Sequence, residues 1–252
     1  MKCFNELIKQ EGPIFGLYIT LPSPNIVEIA KEAGFDFIRI DYEHVLFDYS
    51  DLAELTRIST LLDMPVQVRV SNLFDITKLL DIGVTGIVVP DVNTVERARQ
   101  AVEAAKYYPI GARGMYPTSR CVKLSGCPSF SEYLKNANDI VNLTVQIEDV
   151  KAAAYIDEIA SMEGIDMLAS GKADISQSAG LPGQTNHPKV IEMEELIIRK
   201  ALEYDKQPVI LAGNRNRIKE LLSMGEKVFV AGVDDMIILK AFKDILCELK
   251  GK

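Results

Sequence analysis

Along this 252-residue chain, short β-branched runs recur, each followed by a stretch whose apolar positions repeat every three to four residues. The runs predict strands at 15–20, 36–41, 65–70, 86–90, 143–148, 165–170, 208–213 and 227–232. Between them, segments such as "NIVEIAKEAG", "SDLAELTRISTLLD", "VERARQAVEAAKYY" and "HPKVIEMEELIIRKALEYDK" carry helical spacing. Strict alternation of strand and helix implies a parallel sheet. Eight such units, with no linker or low-complexity break, predict one closed (β/α)₈ barrel domain spanning residues 1–252. An open doubly wound sheet is the rival, but no strand is followed by its G-x-G-x-x-G turn. The longest connection, from Val92 to Asn142, begins as a helix and continues through a Gly-, Pro- and Ser-containing insertion. That insertion follows the C-terminal end of a strand, where barrel active sites sit.

The polar positions inside the strands carry the functional signal. In "VQIEDV", Val145, Ile147 and Val150 suit a buried strand, while Gln146 and Glu148 share the opposite face. A closed parallel barrel covers both faces, packing one on helices and filling its interior with the other. Gln146 and Glu148 therefore point inward, with Glu148 at the top. The same parity in "PVQVRV" turns Gln67 and Arg69 inward, and in "FIRIDYEH" it turns Arg39, Asp41 and Glu43 inward, with His44 at the mouth. "GKADIS" brings Asp174 to the same rim. Buried charges are expensive unless paired or metal-bound. Each residue also has a structural explanation: His44 as a loop cap, Arg69 as a salt bridge to Asp41 or Glu43, and Glu148 or Asp174 as a helix N-cap. Four strand ends supplying reactive groups to one place point instead to a site.

Composition narrows the class. A net charge of −8 argues against a nucleic-acid or anionic-membrane surface. The first residues, "MKCFNELIKQEG", lack a signal peptide's apolar core, and no apolar run is long enough to span a membrane. Cys3, Cys121, Cys127 and Cys247 form no C-x-x-C pair and read as reduced thiols, which with the rest predicts a cytoplasmic protein. Two carboxylates without a neighbouring Cys make a hard oxygen site suited to Mg²⁺ or Mn²⁺, with Co²⁺ a further option. An α-keto acid would chelate such a cation, Arg69 would hold a developing enolate oxygen and His44 would serve as the base. No lysine ends an apolar barrel strand to form an imine, and Lys172 lies in a loop beside Asp174.

At this level of detail the chain resembles the HpcH/HpaI aldolases, metal-dependent pyruvate aldolases built as (β/α)₈ barrels. The resemblance runs nearly end to end, through "GLYITLPSPNIVEIAKEAGFDFIRIDYEH", "PIGARG", "VQIED" and "GKADISQSAGLPGQTNHPKV". It implies that His44 is the base, that Arg69 stabilises the pyruvate enolate and that Glu148 and Asp174 bind the metal. Gln146 and the backbone around Ala173 would contact substrate, with Asp174 beside them. Asp81 matches an aspartate that raises the histidine's basicity. The implied partners are a keto acid and an aldehyde, and the implied assembly is a homo-oligomer, a trimer or hexamer. The family's other carbon–carbon chemistry, including citrate formation and oxaloacetate decarboxylation, stays open, as does a non-catalytic keto-acid-binding barrel. Two residues depart from the family pattern: Lys172 replaces a usual Pro, and Tyr42 a small residue. A cation at 172 would favour an acidic acceptor. His187, just before a helix-opening Pro, reads as a cap. Asp81 precedes the fourth strand, at the end of the barrel opposite His44, so any contact with that histidine must come from a neighbouring subunit.

Overall fold

Eight parallel strands close into a barrel in sequence order, β1 pairing with β2 and so on until β8 returns to β1. They are β1 (Ile14–Ile19), β2 (Phe37–Asp41), β3 (Val66–Arg69), β4 (Gly86–Val89), β5 (Asn142–Ile147), β6 (Met167–Ser170), β7 (Gln207–Leu211) and β8 (Val228–Val233). The computed structural model describes residues 3–212 and 214–251. The expected boundaries hold to within about two residues. Gly213, included in the seventh expected strand, lies outside the described residues, as do residues 1, 2 and 252 of the expected domain. No helix among the described residues is long and apolar enough to cross a membrane.

Period-two alternation sorts the side chains as expected. Ile38, Ile40, Val66, Val68, Val145 and Ile147 join the layer between barrel and helices. Inside, the lower barrel is filled by Phe4, Ile14, Phe37, Met167, Val209 and Val228. Interior crowding selects glycine at two strand positions. A Cβ on Gly16 would lie 2.2 Å from the Phe37 ring, and one on Gly86 would lie 2.6 Å from Gln67 Cγ.

The long insertion is not where the strand it follows suggested. The helix Val95–Ala105 carries the chain from the top of β4 to the opposite end of the barrel before the insertion begins. There Lys106 Nζ bonds the carbonyls of Asn138 and Val141 and the Asp166 carboxylate, beside the starts of β5 and β6. The insertion therefore packs on the N-terminal face, away from the barrel mouth.

One buried acid makes stability depend on pH. Glu226, two residues before β8, is fully buried. Burial, with the like charge of Glu194 adding to it, pushes its pKa up to about 8. The folded protein then keeps a proton that the unfolded chain releases near pH 4.5. Stability therefore falls as pH rises from about 4.5 towards 8, by on the order of 4 kcal/mol from this group. Denaturant midpoints at pH 5.5 and 8 should separate for the native chain and converge for Glu226→Gln. Parallel curves for the two proteins would remove Glu226 as the cause.

Candidate active site

The C-terminal ends of the strands surround a cavity of about 500 Å³ lined by Asp41, His44, Arg69, Gln146, Ala173 and Asp174, among others. That volume suits a small metabolite. Four elements converge here because β2 ends at Asp41, β3 ends at Arg69, β5 delivers Gln146 and Glu148, and the helix Lys172–Ser178 follows β6 directly.

Arg69 organises one side. Its Nε and Nη2 donate to the two carboxylate oxygens of Asp41 at 3.1 and 2.8 Å. Its Nη1 lies 3.1 Å from Glu43 Oε2. Both sequence-level salt-bridge partners are therefore used. Burial disfavours the Arg69 charge, but Tyr18, Asp41 and Glu43 outweigh it and hold its pKa above the usual value. Two N–H groups of the guanidinium fork donate to Asp41, and the others remain for a ligand. Glu43 Oε2 also lies 3.5 Å from His44 Nε2. The His44 side chain is 64% exposed, so its ring stands at the mouth rather than in the packed interior. Burial raises the pKa of Glu43, with Arg69 and His44 opposing and Asp41 and Asp174 adding to the rise.

Glu148 defines the other side. Gln146 Nε2 donates to its Oε1 at 2.5 Å, and the Asp91 N–H donates to its Oε2 at 2.6 Å. Asn93 Oδ1 accepts the backbone N–H groups of Glu148 and Asp149, bracing the strand end. Burial lifts the Glu148 pKa, the two hydrogen bonds oppose it, and the like charges of Glu43 and Asp174 add to the rise. Gly171 makes room for the carboxylate, since a Cβ there would lie 2.7 Å from Glu148 Oε1. Asp174 stands in the first turn of the helix Lys172–Ser178 and is exposed to the cavity. Neither residue is an N-cap: Asp149 caps the turn after β5 and Gly171 occupies the other cap position.

A desolvated carboxylate facing two more acids, with no cation in ion-pair distance among the described residues, is an arrangement a hard divalent cation would relieve. No three His, Cys, Asp or Glu side chains among the described residues are grouped to enclose a metal by themselves. A cation on Glu148 and Asp174 would complete its shell with water and substrate oxygens, as Mg²⁺ and Mn²⁺ sites do.

One expected site residue, Asp81, sits elsewhere, and His187 has the capping role its position suggested. Asp81 ends the helix Ile76–Asp81 at the opposite end of the barrel, where Arg113 Nη2 donates to it at 2.6 Å. It does not touch His44 of its own chain, as the sequence predicts. His187 caps the helix Pro188–Glu203 by accepting the Lys189 N–H on its Nδ1. Lys172 is also less available than its position suggested. Its Nζ lies 3.3 Å from Glu194 Oε2, an oxygen it shares with Arg217 Nη2 at 2.8 Å. Tyr42 packs at the edge of the core, its ring 6.5 Å from that of Tyr49. Sequence reasoning missed the Asp91–Asn93 brace and Glu194. The brace gives no periodic signal, and Glu194 reads as an ordinary polar position on an amphipathic helix.

Comparison with known proteins places these features in context. The family model for HpcH/HpaI aldolase/citrate lyase matches residues 14–241. A hydroxypyruvate/pyruvate aldolase of Deinococcus radiodurans is 35% identical, covering 99% of this chain and 90% of the relative. A 4-hydroxy-2-oxo-heptane-1,7-dioate aldolase of Escherichia coli is 34% identical, covering 94% of this chain and 91% of the relative. Among solved structures, the citrate synthase SbnG superposes with a TM-score of 0.90 at 29% identity, covering 99% of this chain and 98% of that one.

Proposed function

From the premise that this chain belongs to the HpcH/HpaI aldolase/citrate lyase family and is a carbon–carbon lyase, we propose that it reversibly cleaves a 4-hydroxy-2-oxo acid to pyruvate and an aldehyde. The observation that carries this reading is one cavity faced by Arg69, His44, Gln146 and Asp174, with Glu148 bordering it through Gln146 and Gly171. The family is divalent-metal dependent, and the Glu148–Asp174 donor set suits Mg²⁺ or Mn²⁺, with Co²⁺ also compatible. When bound, such a cation would polarise the carboxylate and keto oxygens of the substrate.

The remaining work belongs to the chain. In the cleavage direction His44 takes the proton of the C4 hydroxyl, the C3–C4 bond breaks, and its electron pair moves through C2 onto the keto oxygen. Arg69, held by Asp41 and Glu43, donates to that developing negative charge. The resulting enolate of pyruvate takes a proton at C3 from the protonated His44, which restores the base. Gln146 and the backbone at Ala173 orient the keto acid. Glu43 keeps the His44 ring and the Arg69 guanidinium in one arrangement. The alternative of an oxaloacetate-directed synthase or decarboxylase drew on Lys172 as a free anchor, and the Lys172–Glu194 pair weakens that motive.

A screen for pyruvate release from 4-hydroxy-2-oxo acids tests the reading. Cleavage should vanish in EDTA and return with added Mg²⁺ or Mn²⁺. Turnover that survives complete metal removal, or a chain inert to every such acid, would defeat it.

The proposal extends to a cytoplasmic homo-oligomer, a trimer or hexamer. Its support is the helix Asp234–Leu249, on which Met236, Phe242, Ile245, Leu246 and Leu249 are each more than half exposed. Phe242, Ile245, Leu246 and Leu249 fall on one side of the helix, and exposed apolar side chains gathered there favour an interaction surface. In the assembly, Asp81 of one subunit would approach His44 of another, since within one chain strands of this length hold the two ends of the barrel roughly 13–20 Å apart. Mixing inactive, folded His44→Ala and Asp81→Ala subunits should therefore restore part of the activity through hybrid sites. Co-assembled mixtures that stay inactive would refute the shared site.

A further inference from the structure

Beneath the candidate active site, a second guanidinium faces the same cavity as Arg69. Arg39 stands on β2 two residues below Asp41, and register places it level with Tyr18 and Gln67. It is 3% exposed, yet it lines the cavity. Its Nε and Nη2 both donate to Gln67 Oε1, at 2.9 and 2.7 Å. Gln67 Nε2 is tied in turn to Asn142 Oδ1 at 2.9 Å, so a neutral amide fixes Arg39 without cancelling its charge. No carboxylate lies within ion-pair distance of Arg39 among the described residues, and the Asp41 carboxylate is engaged by Arg69. Arg39 and Arg69 approach the Tyr18 ring at 5.6 and 5.4 Å, which limits the separation of their guanidinium carbons to the sum of the two, about 11 Å.

The two arginines differ in what surrounds them. Arg69 lies against both Asp41 and Glu43, so that cluster is net negative when both acids are ionised. An oxygen gaining charge beside Arg69 meets its N–H groups but little net positive potential. Arg39 has no such counter-ions. A buried, unmatched guanidinium is costly, and burial lowers its pKa, with Tyr18 opposing and Arg69 adding to the fall. Such a charge is useful where negative charge appears only during a reaction, because a fixed field needs no reorganisation as that charge develops. We propose that Arg39 is a second positive charge for the enolate, acting through space from the cavity floor on the oxygen that Arg69 hydrogen-bonds. This rests on the enolate chemistry proposed above and adds a residue to it. The aldehyde half of the substrate still leaves towards His44 at the mouth and needs no contact with the floor. At an effective dielectric constant of about 20, unit charges roughly 8–11 Å apart change an equilibrium by about 10- to 30-fold.

The alternative is a purely structural Arg39, one end of the polar chain that continues from Gln67 to Asn142 and Asn5. Oxalate and pyruvate separate the cases. Oxalate is doubly charged and places its second carboxylate where the enolate oxygen forms, whereas pyruvate carries one charge in nearly the same shape. The reading is the ratio of their dissociation constants, followed by calorimetry at one fixed Mg²⁺ concentration. The native chain should prefer oxalate. Arg39→Gln keeps N–H donors for Gln67, and Arg39→Met fills the space with apolar atoms. Each should lower the preference for oxalate by about 10- to 30-fold and slow exchange of the pyruvate methyl protons by a similar factor. Arg39→Lys, which keeps the charge and loses the fork, should retain most of the preference. None of these readings needs cleavage of a hydroxy-oxo acid, so the role of Arg39 can fail while the cleavage holds, and the reverse. Weaker binding of both ligands at an unchanged ratio, or a ratio lowered as far in Arg39→Lys as in Arg39→Met, would assign Arg39 to structure alone. A native chain with no preference for oxalate would overturn the role as well.

Discussion

His44→Ala is expected to slow exchange of the pyruvate methyl protons with solvent by about 10²- to 10⁴-fold, the usual contribution of a positioned general base. The ring stands exposed at the cavity mouth, and Glu43 Oε2 lies 3.5 Å from its Nε2. Alanine removes the base and leaves Arg69 paired with Asp41 and Glu43, so the fold should persist. His187 supplies the control within the same chain. It is the N-cap of a 16-residue helix, so His187→Ala should cost about 1 kcal/mol of stability and far less exchange. Proton exchange in deuterated solvent, followed by magnetic resonance, measures both. Equal loss in the two variants would contradict His44 as the base.

Glu148→Gln should reduce cleavage by roughly 10³-fold, because several kcal/mol of transition-state stabilisation depend on the cation it is proposed to hold. The substitution keeps the shape and removes the charge, and it also brings an amide N–H against donors. Glu148 accepts from both Gln146 Nε2 and the Asp91 N–H, so the amide nitrogen must face one of them. Mn²⁺ titration should show weakened binding in the variant. Protons compete with the cation at Glu148, and burial places its pKa above the usual carboxylate range. Affinity in the native chain should thus decline on acidification, starting at higher pH than an exposed carboxylate would allow. Native-like Mn²⁺ affinity in an inactive Glu148→Gln would give the carboxylate a different role.

The alternation of "VQIE", "VQVR" and "FIRID" by itself determines the inward set of Gln146, Glu148, Gln67, Arg69, Arg39 and Asp41. The physical reason is local: successive strand side chains point to opposite faces, and a parallel barrel buries both, so a polar parity survives only on the interior side. Placement of His44 at the mouth and Asp81 at the far end followed from chain direction alone. Partner choice was decided only by the tertiary structure. Arg69 takes both Asp41 and Glu43 because β2 and β3 pair in the register Asp41 to Arg69. Lys172 turns to Glu194, 22 residues away, and Asp81 turns to Arg113, 32 residues away. The long insertion lies on the N-terminal face because a helix of 11 residues spans the barrel before it starts. These contacts depend on the closing geometry of distant segments, which leaves no trace in local spacing. Whether an inward charge meets a counter-ion or an open cavity is set by that closure, and it separates Arg69 from Arg39 although both occupy inward positions on neighbouring strands.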